Sequence, residues 1–204
     1  MILNKFVKVF KFLSSKEGEK LLDILSRNGD AKNIDLKLKI HSLLTTLKKE
    51  IKKPFGMIVV FGWQRKWNKK YAAFPDITQN IFKKIIINLR NDSHSDIVKV
   101  LKETMNFDGA ILIDEKGNFS ASGVYLTNIA PNEVAKILYS SAVDLSTAFG
   151  FKRKVHMRHL AGIAASYILK GTTVFVLSEE DNSLRIFEGG KIVWSTVKSE
   201  GVRL

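Results

Sequence analysis

The sequence has no cysteine, only three prolines and only four histidines in 204 residues. The missing cysteine removes disulfides, thiolate metal centres and cysteine nucleophiles. The histidines, His41, His94, His156 and His159, form no ligand-spaced set, which argues against a zinc hydrolase. No Gly-x-Ser-x-Gly elbow is present to expose a nucleophilic serine. No apolar run approaches the ~18 residues that a membrane-spanning helix needs, and the opening stretch MILNKFVKVFKFLSSKEGEK is broken by lysines at helical spacing. There is no internal repeat and no low-complexity tract. Together these absences predict a cytoplasmic protein with no membrane partner.

What is present is ordinary for a chain that folds: 45% hydrophobic and 26% charged residues, enough length for one main domain with an appendage. The net charge of +13 is unevenly spread. Residues 1–100 carry 21 lysines and arginines against 9 acidic residues, a net +12, whereas residues 101–204 carry 12 against 11, a net +1. The second half is therefore where individually placed charges are expected.

Apolar spacing predicts helices over residues 2–14, 16–28 and 35–51, the last ending before Pro54. FGMIVVFGW, residues 55–63, has β-branched residues at its centre and glycine near each end, and predicts a strand buried on both faces. Helices are expected at 80–89 and 95–105, then a hairpin through GAILIDEKGNFSASGVYL with its turn at 115–118. Residues 131–150 and 159–169 read as helices, and TTVFVLSEEDNSLRIFEGGKIVWSTV reads as a meander with turns at 180–182 and 188–190. The fold class expected is α/β (α+β): a mixed central β-sheet flanked by helices, behind a helical N-terminal extension over 1–44, with the main domain over 45–204.

Three short stretches put polar or glycine residues at the edge of a predicted strand or helix. FDGA, residues 107–110, is compatible with a plain turn, or with a carboxylate at Asp108 that holds a metal or sugar hydroxyl beside a glycine that admits a flat ring. MRH, residues 157–159, puts Arg158 and His159 where a helix N-terminus offers free amides, a phosphate-binding combination, although such a pair also serves as surface decoration. LSEE, residues 177–180, sets Ser178 and Glu179 where a buried strand runs out, either as a turn or as ligand contacts.

In this order the stretches resemble the diadenylate cyclase domain, the family that condenses two ATP into cyclic di-AMP. The matching segments are DGAILI, ASGVYL, MRHLAGIAAS and VFVLSEE, followed by a hairpin ending GGKIV, over roughly residues 45–195. The resemblance implies Asp108, Arg158 and His159 as catalytic residues, with Asp108 and His159 near a divalent metal. Asp108 would also contact the ribose hydroxyl. It implies Gly109 and Ala110 as pocket lining, Gly123 and Leu126 as the wall facing the base, and Met157, Ser178 and Glu179 as further nucleotide contacts. The implied substrate is ATP, the implied cofactor is Mn²⁺ or Mg²⁺, and the implied partner is a second copy, since two apposed domains complete the reaction. The sequence departs from the family at two places: Leu160 stands where the third residue of Arg-His-Arg is expected, and Met157 where a threonine usually precedes it. His156 also replaces the usual glycine, and Lys152, Arg153, Lys154 or His156 are the cations nearby. These departures leave open a member that binds ATP or cyclic di-AMP without turnover.

A different function class is suggested by FGWQRKWNKKYAAF, residues 61–74, where Trp63, Trp67, Tyr71 and Phe74 interleave with Arg65, Lys66, Lys69 and Lys70. Exposed rings among lysines would suit single-stranded nucleic acid. The same spacing of three or four residues equally fits a buried stripe with solvated lysines, and nucleic acid is not the partner expected here.

Overall fold

The apolar run at 57–63 forms the strand on which the fold is organised. The computed structural model describes residues 16–28, 33–140, 144–198 and 200. The helix expected over 2–14 lies outside the described residues. Two helices, α1 (Lys16–Asn28) and α2 (Ile34–Glu50), precede β1 (Met57–Trp63), all seven residues of which are buried. A 3₁₀ turn (Arg65–Trp67), α3 (Asn68–Tyr71) and the short β2 (Ala72–Ala73) follow, then 3₁₀ turns at Ile77–Gln79 and Ile81–Lys83. The remaining elements are α4 (His94–Glu103), β3 (Ala110–Asp114), β4 (Phe119–Leu126), α5 (Pro131–Tyr139), α6 (Leu145–Ala148), α7 (Met157–Ile168), β5 (Thr173–Leu177), β6 (Leu184–Glu188) and β7 (Lys191–Ser195).

The strands make one mixed seven-stranded sheet in the order β2-β4-β3-β1-β5-β6-β7, in which β1 and β3 run parallel and every other pair is antiparallel. Alternation along β1 explains the layering. Met57, Val59 and Phe61 point to one face with residues of α1, α2 and α4; Ile58, Val60 and Trp63 point to the other with residues of α5 and α7. A strand buried on both faces has no polar alternation, as the sequence of β1 required.

Three expectations are corrected. Residues 80–89 are not a helix: after the 3₁₀ turns the chain extends beside the start of β4, with Phe119 N donating to Ile87 O and Leu89 N to Gly117 O. The β-branched run Ile85-Ile86-Ile87 suits an extended backbone, and Ile85, Ile87 and Leu89 fit period two, whereas Phe82, Ile85 and Leu89 fit a helix. The single helix over 131–150 is interrupted: α5 stops at Ser140, which takes a left-handed φ of 54°, and α6 starts afresh at Asp144, whose Oδ2 accepts from Thr147 N at 2.8 Å. The helix expected from 159 begins two residues earlier, at Met157.

The N-terminal helices are not peripheral to this core. The boundary drawn between 44 and 45 falls inside the continuous α2, and Leu21, Leu25, Leu36, Ile40, Leu43, Leu44 and Leu47 share one buried cluster with β1, β3, β5 and β6. A buried ion pair adds to this: Lys37 Nζ lies 2.7 Å from Glu188 Oε1, which also accepts from Thr173 Oγ1 at 2.6 Å. Leu44→Ala is expected to lower unfolding free energy by about 2–5 kcal/mol in urea titration. A loss below about 1 kcal/mol would show that α2 is not part of the cooperative core.

Candidate nucleotide site

The sheet register brings the three singled-out stretches to one end. Met57 pairs with Leu177, Ile58 with Ala110, and Ala110 with Val124. Continuing each register one or two residues outward gives a row across four strands: Leu126, Asp108, Gly56 and Ser178. With strands about 4.8 Å apart, Asp108 and Ser178 are separated by about 10 Å, with Gly56 between them.

Asp108 and Gly109 are exposed at this mouth, whereas Ala110 is fully buried as the first residue of β3. Gly109 has φ +98°, and a Cβ there would meet the Val124 backbone at 2.7 Å. Gly123 has φ +66°, and a Cβ would meet Gln79 Cβ at 2.6 Å. The β4 wall is held to the 77–81 turns through Ser122, whose Oγ donates to Gln79 O and accepts from Ile81 N, and whose N donates to Asn80 Oδ1. Leu126 is half-buried beside it.

Helix α7 covers the same end. Its N-cap is His156, which makes no side-chain capping bond to the first amides of the helix. Small residues let the helix approach the sheet: a Cβ on Gly162 would lie 2.6 Å from Val176 Cγ2. Arg158, 34% exposed, lays its guanidinium over Gly56, where a Cβ would sit 2.0 Å from Nη1. Its Nη1 is 3.5 Å from Glu179 Oε2, and His156 Nε2 is likewise 3.5 Å from Glu180 Oε2. Met157 projects into solvent, and Leu160 is 7% exposed within the apolar cluster under the helix.

Two expected contacts are differently employed. Ser178 is 2% exposed, and its Oγ accepts from the amides of Glu180 and Asp181 at 3.3 Å, so it closes the turn after β5. His159 is 3% exposed with Nε2 2.8 Å from Arg185 Nη1. A guanidinium only donates, so Nε2 is the acceptor and the proton sits on Nδ1. Burial, followed by the positive charge of Arg185, pushes the His159 pKa down to about 4. In this arrangement neither ring nitrogen offers a lone pair to a metal, which stands against the expected histidine ligand.

Sequence reasoning missed Arg185, Asp181, Glu200 and Gly56. Arg185 carried a signal: a charge between Leu184 and Ile186 in a short strand occupies the face toward α7, where Phe187 is also buried. No comparable signal marked Gly56 or Glu200. Among the described residues no group of three or more His, Asp or Glu is arranged to hold a metal. The exposed Asp108 carboxylate is a hard oxygen donor of the kind that Mg²⁺ or Mn²⁺ accepts.

The family described as DisA bacterial checkpoint controller nucleotide-binding matches residues 45–192. The chain belongs to this diadenylate cyclase domain family. Among solved structures, a double mutant of DacA from Staphylococcus aureus matches at 15% identity with a TM-score of 0.46, covering 91% of each chain. A hypothetical membrane spanning protein from Bacillus cereus matches at 15% identity and TM-score 0.47, covering 81% of this chain and 62% of the other. No curated protein matches. Among the described residues, no helix is long and apolar enough to cross a membrane.

Gly56→Ala is expected to leave the unfolding midpoint near wild type, because the displaced atoms are the end of a flexible side chain, yet to weaken ATP binding about tenfold by moving Arg158. Unchanged ATP affinity by calorimetry would separate Gly56 from the site. A second expectation concerns pH. His41, also pushed down to about 4 by burial, and His159 both refuse protons that the unfolded chain accepts below about pH 6.5. Stability is therefore fully present above that pH and falls toward pH 4, by up to about 1.4 kcal/mol per pH unit for each ring. Urea unfolding between pH 7 and 4.5 measures this, and His41→Leu should flatten the decline.

Proposed function

We propose that the chain is a diadenylate cyclase, which binds one ATP with a divalent cation and works as two apposed copies that join two ATP into cyclic di-AMP. The observation that supports this best is the row at the sheet end: its sequence of Leu126, Asp108, Gly56 with Arg158 above it, and the Ser178–Glu180 turn follows the order of base, ribose and phosphate in the nucleotide. Family membership points the same way.

Each ribose 3′-oxygen attacks the α-phosphorus of the other ATP. One P–O bond forms, the bond to pyrophosphate breaks, and the hydroxyl proton leaves to solvent or a nearby base; two such steps close the ring. Positioning and charge neutralisation carry most of such a reaction. Bound Mg²⁺ or Mn²⁺ would neutralise phosphate charge and make the ribose hydroxyl easier to ionise. Asp108 is the carboxylate that would hold the cation and orient that hydroxyl. Gly109 and Ala110 would let the nucleotide lie against the backbone, with Gly123 and Leu126 walling the base. Arg158 would bind phosphate, exchanging Glu179 for it, and Ser178 would keep the turn in place. Because each copy holds one nucleotide, a homodimer is the minimum working assembly.

A reading as a nucleotide binder without turnover rests on Leu160, whose burial leaves the third motif position without a cation. The single-strand reading loses its main support: Trp63 and Trp67 pack edge to face at 5.5 Å and are both buried, and Trp63 Nε1 donates to Asn68 Oδ1.

The deciding experiment is incubation of the purified chain with ATP and Mn²⁺ or Mg²⁺. Cyclic di-AMP and pyrophosphate are expected, with at least a hundredfold loss in Asp108→Asn, on the order of what removing one charge-stabilising group costs. ATP binding without product under both metals would establish the binder instead, and full activity in Asp108→Asn would displace the site.

A further inference from the structure

We propose that His159 and Arg185 form a buried positioning pair, completed by Glu200, that fixes the Arg158-bearing turn of α7 against the 178–183 turn, and that His159 serves there as a hydrogen-bond acceptor rather than as a ligand of metal or phosphate. The functional consequence rests on the cyclase reading above; the pair itself does not.

Arg185 is 1% exposed, and all five of its N–H donors have partners. Nε donates to Glu200 Oε2 at 2.7 Å, Nη2 to Glu200 Oε1 at 3.1 Å and to Asp181 Oδ2 at 3.2 Å, and Nη1 to His159 Nε2 at 2.8 Å and to Ser183 Oγ. The guanidinium also lies 5.6 Å from the centre of the Phe151 ring. Glu200 in turn accepts from Lys152 N at 3.1 Å and Ser195 Oγ at 2.8 Å. One side chain thus joins α7, the segment leading into it, the turn after β5 and the end of the described chain.

Position follows from this connectivity. Arg158 is the residue before His159, and Glu179 lies two residues before Asp181, so the two groups that meet at the site mouth are each anchored next to a partner of Arg185. A protonated His159 would present a donor to a donor at 2.8 Å, so the bond exists only with a neutral ring. Asp181 and Glu200 both favour a charged ring, but burial and the adjacent Arg185 outweigh them and keep His159 neutral. Glu200 lies beyond the family-matched residues 45–192, eight residues after their end.

The test has two arms on the full chain. In the first, ¹⁵N NMR of the His159 ring, assigned by its loss in His159→Gln, is expected to show the Nδ1–H tautomer at pH 7; an Nε2–H tautomer or an imidazolium overturns the proposal. In the second, His159→Leu, Arg185→Met and Glu200→Gln are expected to raise the KM for ATP at least tenfold with a smaller change in kcat. His159→Gln, whose Oε1 can accept the same bond, should recover most of that loss. A glutamine variant as impaired as the leucine variant, at a wild-type unfolding midpoint, overturns the proposal, since His159 would then act on substrate or metal. So does an unchanged KM in Arg185→Met. If these variants do not fold, the NMR arm on wild type decides. If wild type makes no product, the calorimetric ATP dissociation constant replaces KM. Absence of both product and binding would end the cyclase reading while the tautomer still decides the pair.

Discussion

A guanidinium buried to the last donor is the constraint on which the functional end of this molecule depends. Taking a charge out of water costs several kcal/mol, recovered only when geometry is good and every donor is used. Arg185 meets that condition with Glu200 through two bonds, Asp181, Ser183 and His159. Each partner is itself held: Asp181 accepts from Ser183 N at 3.0 Å, and Glu200 from Lys152 N and Ser195 Oγ. Such a network has few alternative arrangements, because losing Glu200 would take two of the guanidinium's five bonds and its only fully buried counter-charge. Rigidity at the mouth is thereby obtained from electrostatics, where a purely apolar contact would allow sliding.

The sheet supplies the complementary constraint. Parallel pairing of β1 with β3, and antiparallel pairing of β1 with β5 and of β3 with β4, bring the starts of two strands and the ends of two others to one edge. Glycine is required at the points of closest approach. At Gly109 and Gly123 both the backbone angle and the surroundings exclude a side chain, while at Gly56 the space is taken by Arg158. The helix that carries Arg158 is set at its height by Gly162 against Val176, so core packing and placement of the phosphate-seeking charge are one property.

Periodicity made the layered α/β fold legible: seven buried residues in β1, the hairpin of β3 and β4, and the final meander all follow from local pattern. It failed where two patterns coincide. Phe82, Ile85 and Leu89 fit a helix while Ile85, Ile87 and Leu89 fit a strand, and pairing with the outer edge of the start of β4 decided between them. The site was half legible. Asp108, Gly109 and Arg158 come to one end of the sheet, and the turn at Ser178 was one of its two local readings, but the employment of His159 depends on a partner 26 residues away that no local pattern reveals. Arg185 was visible only as a charge on an inward strand position.

The charge at the mouth narrows what the site can do. The contact of Arg158 with Glu179, at 3.5 Å between partly exposed groups, contributes no more than about 1 kcal/mol. On the proposed reading a triphosphate would displace Glu179 at little cost, and the bidentate geometry of guanidinium with phosphate would favour the exchange. Leu160 turns inward to the apolar cluster beneath α7 and places no charge at the mouth. The exposed cations left on this segment are Lys152, Arg153 and Lys154, held between the buried anchors Phe151 and Val155. On the proposed reading Arg158 carries the short-range phosphate contact, and these three residues supply only a longer-range, salt-sensitive field.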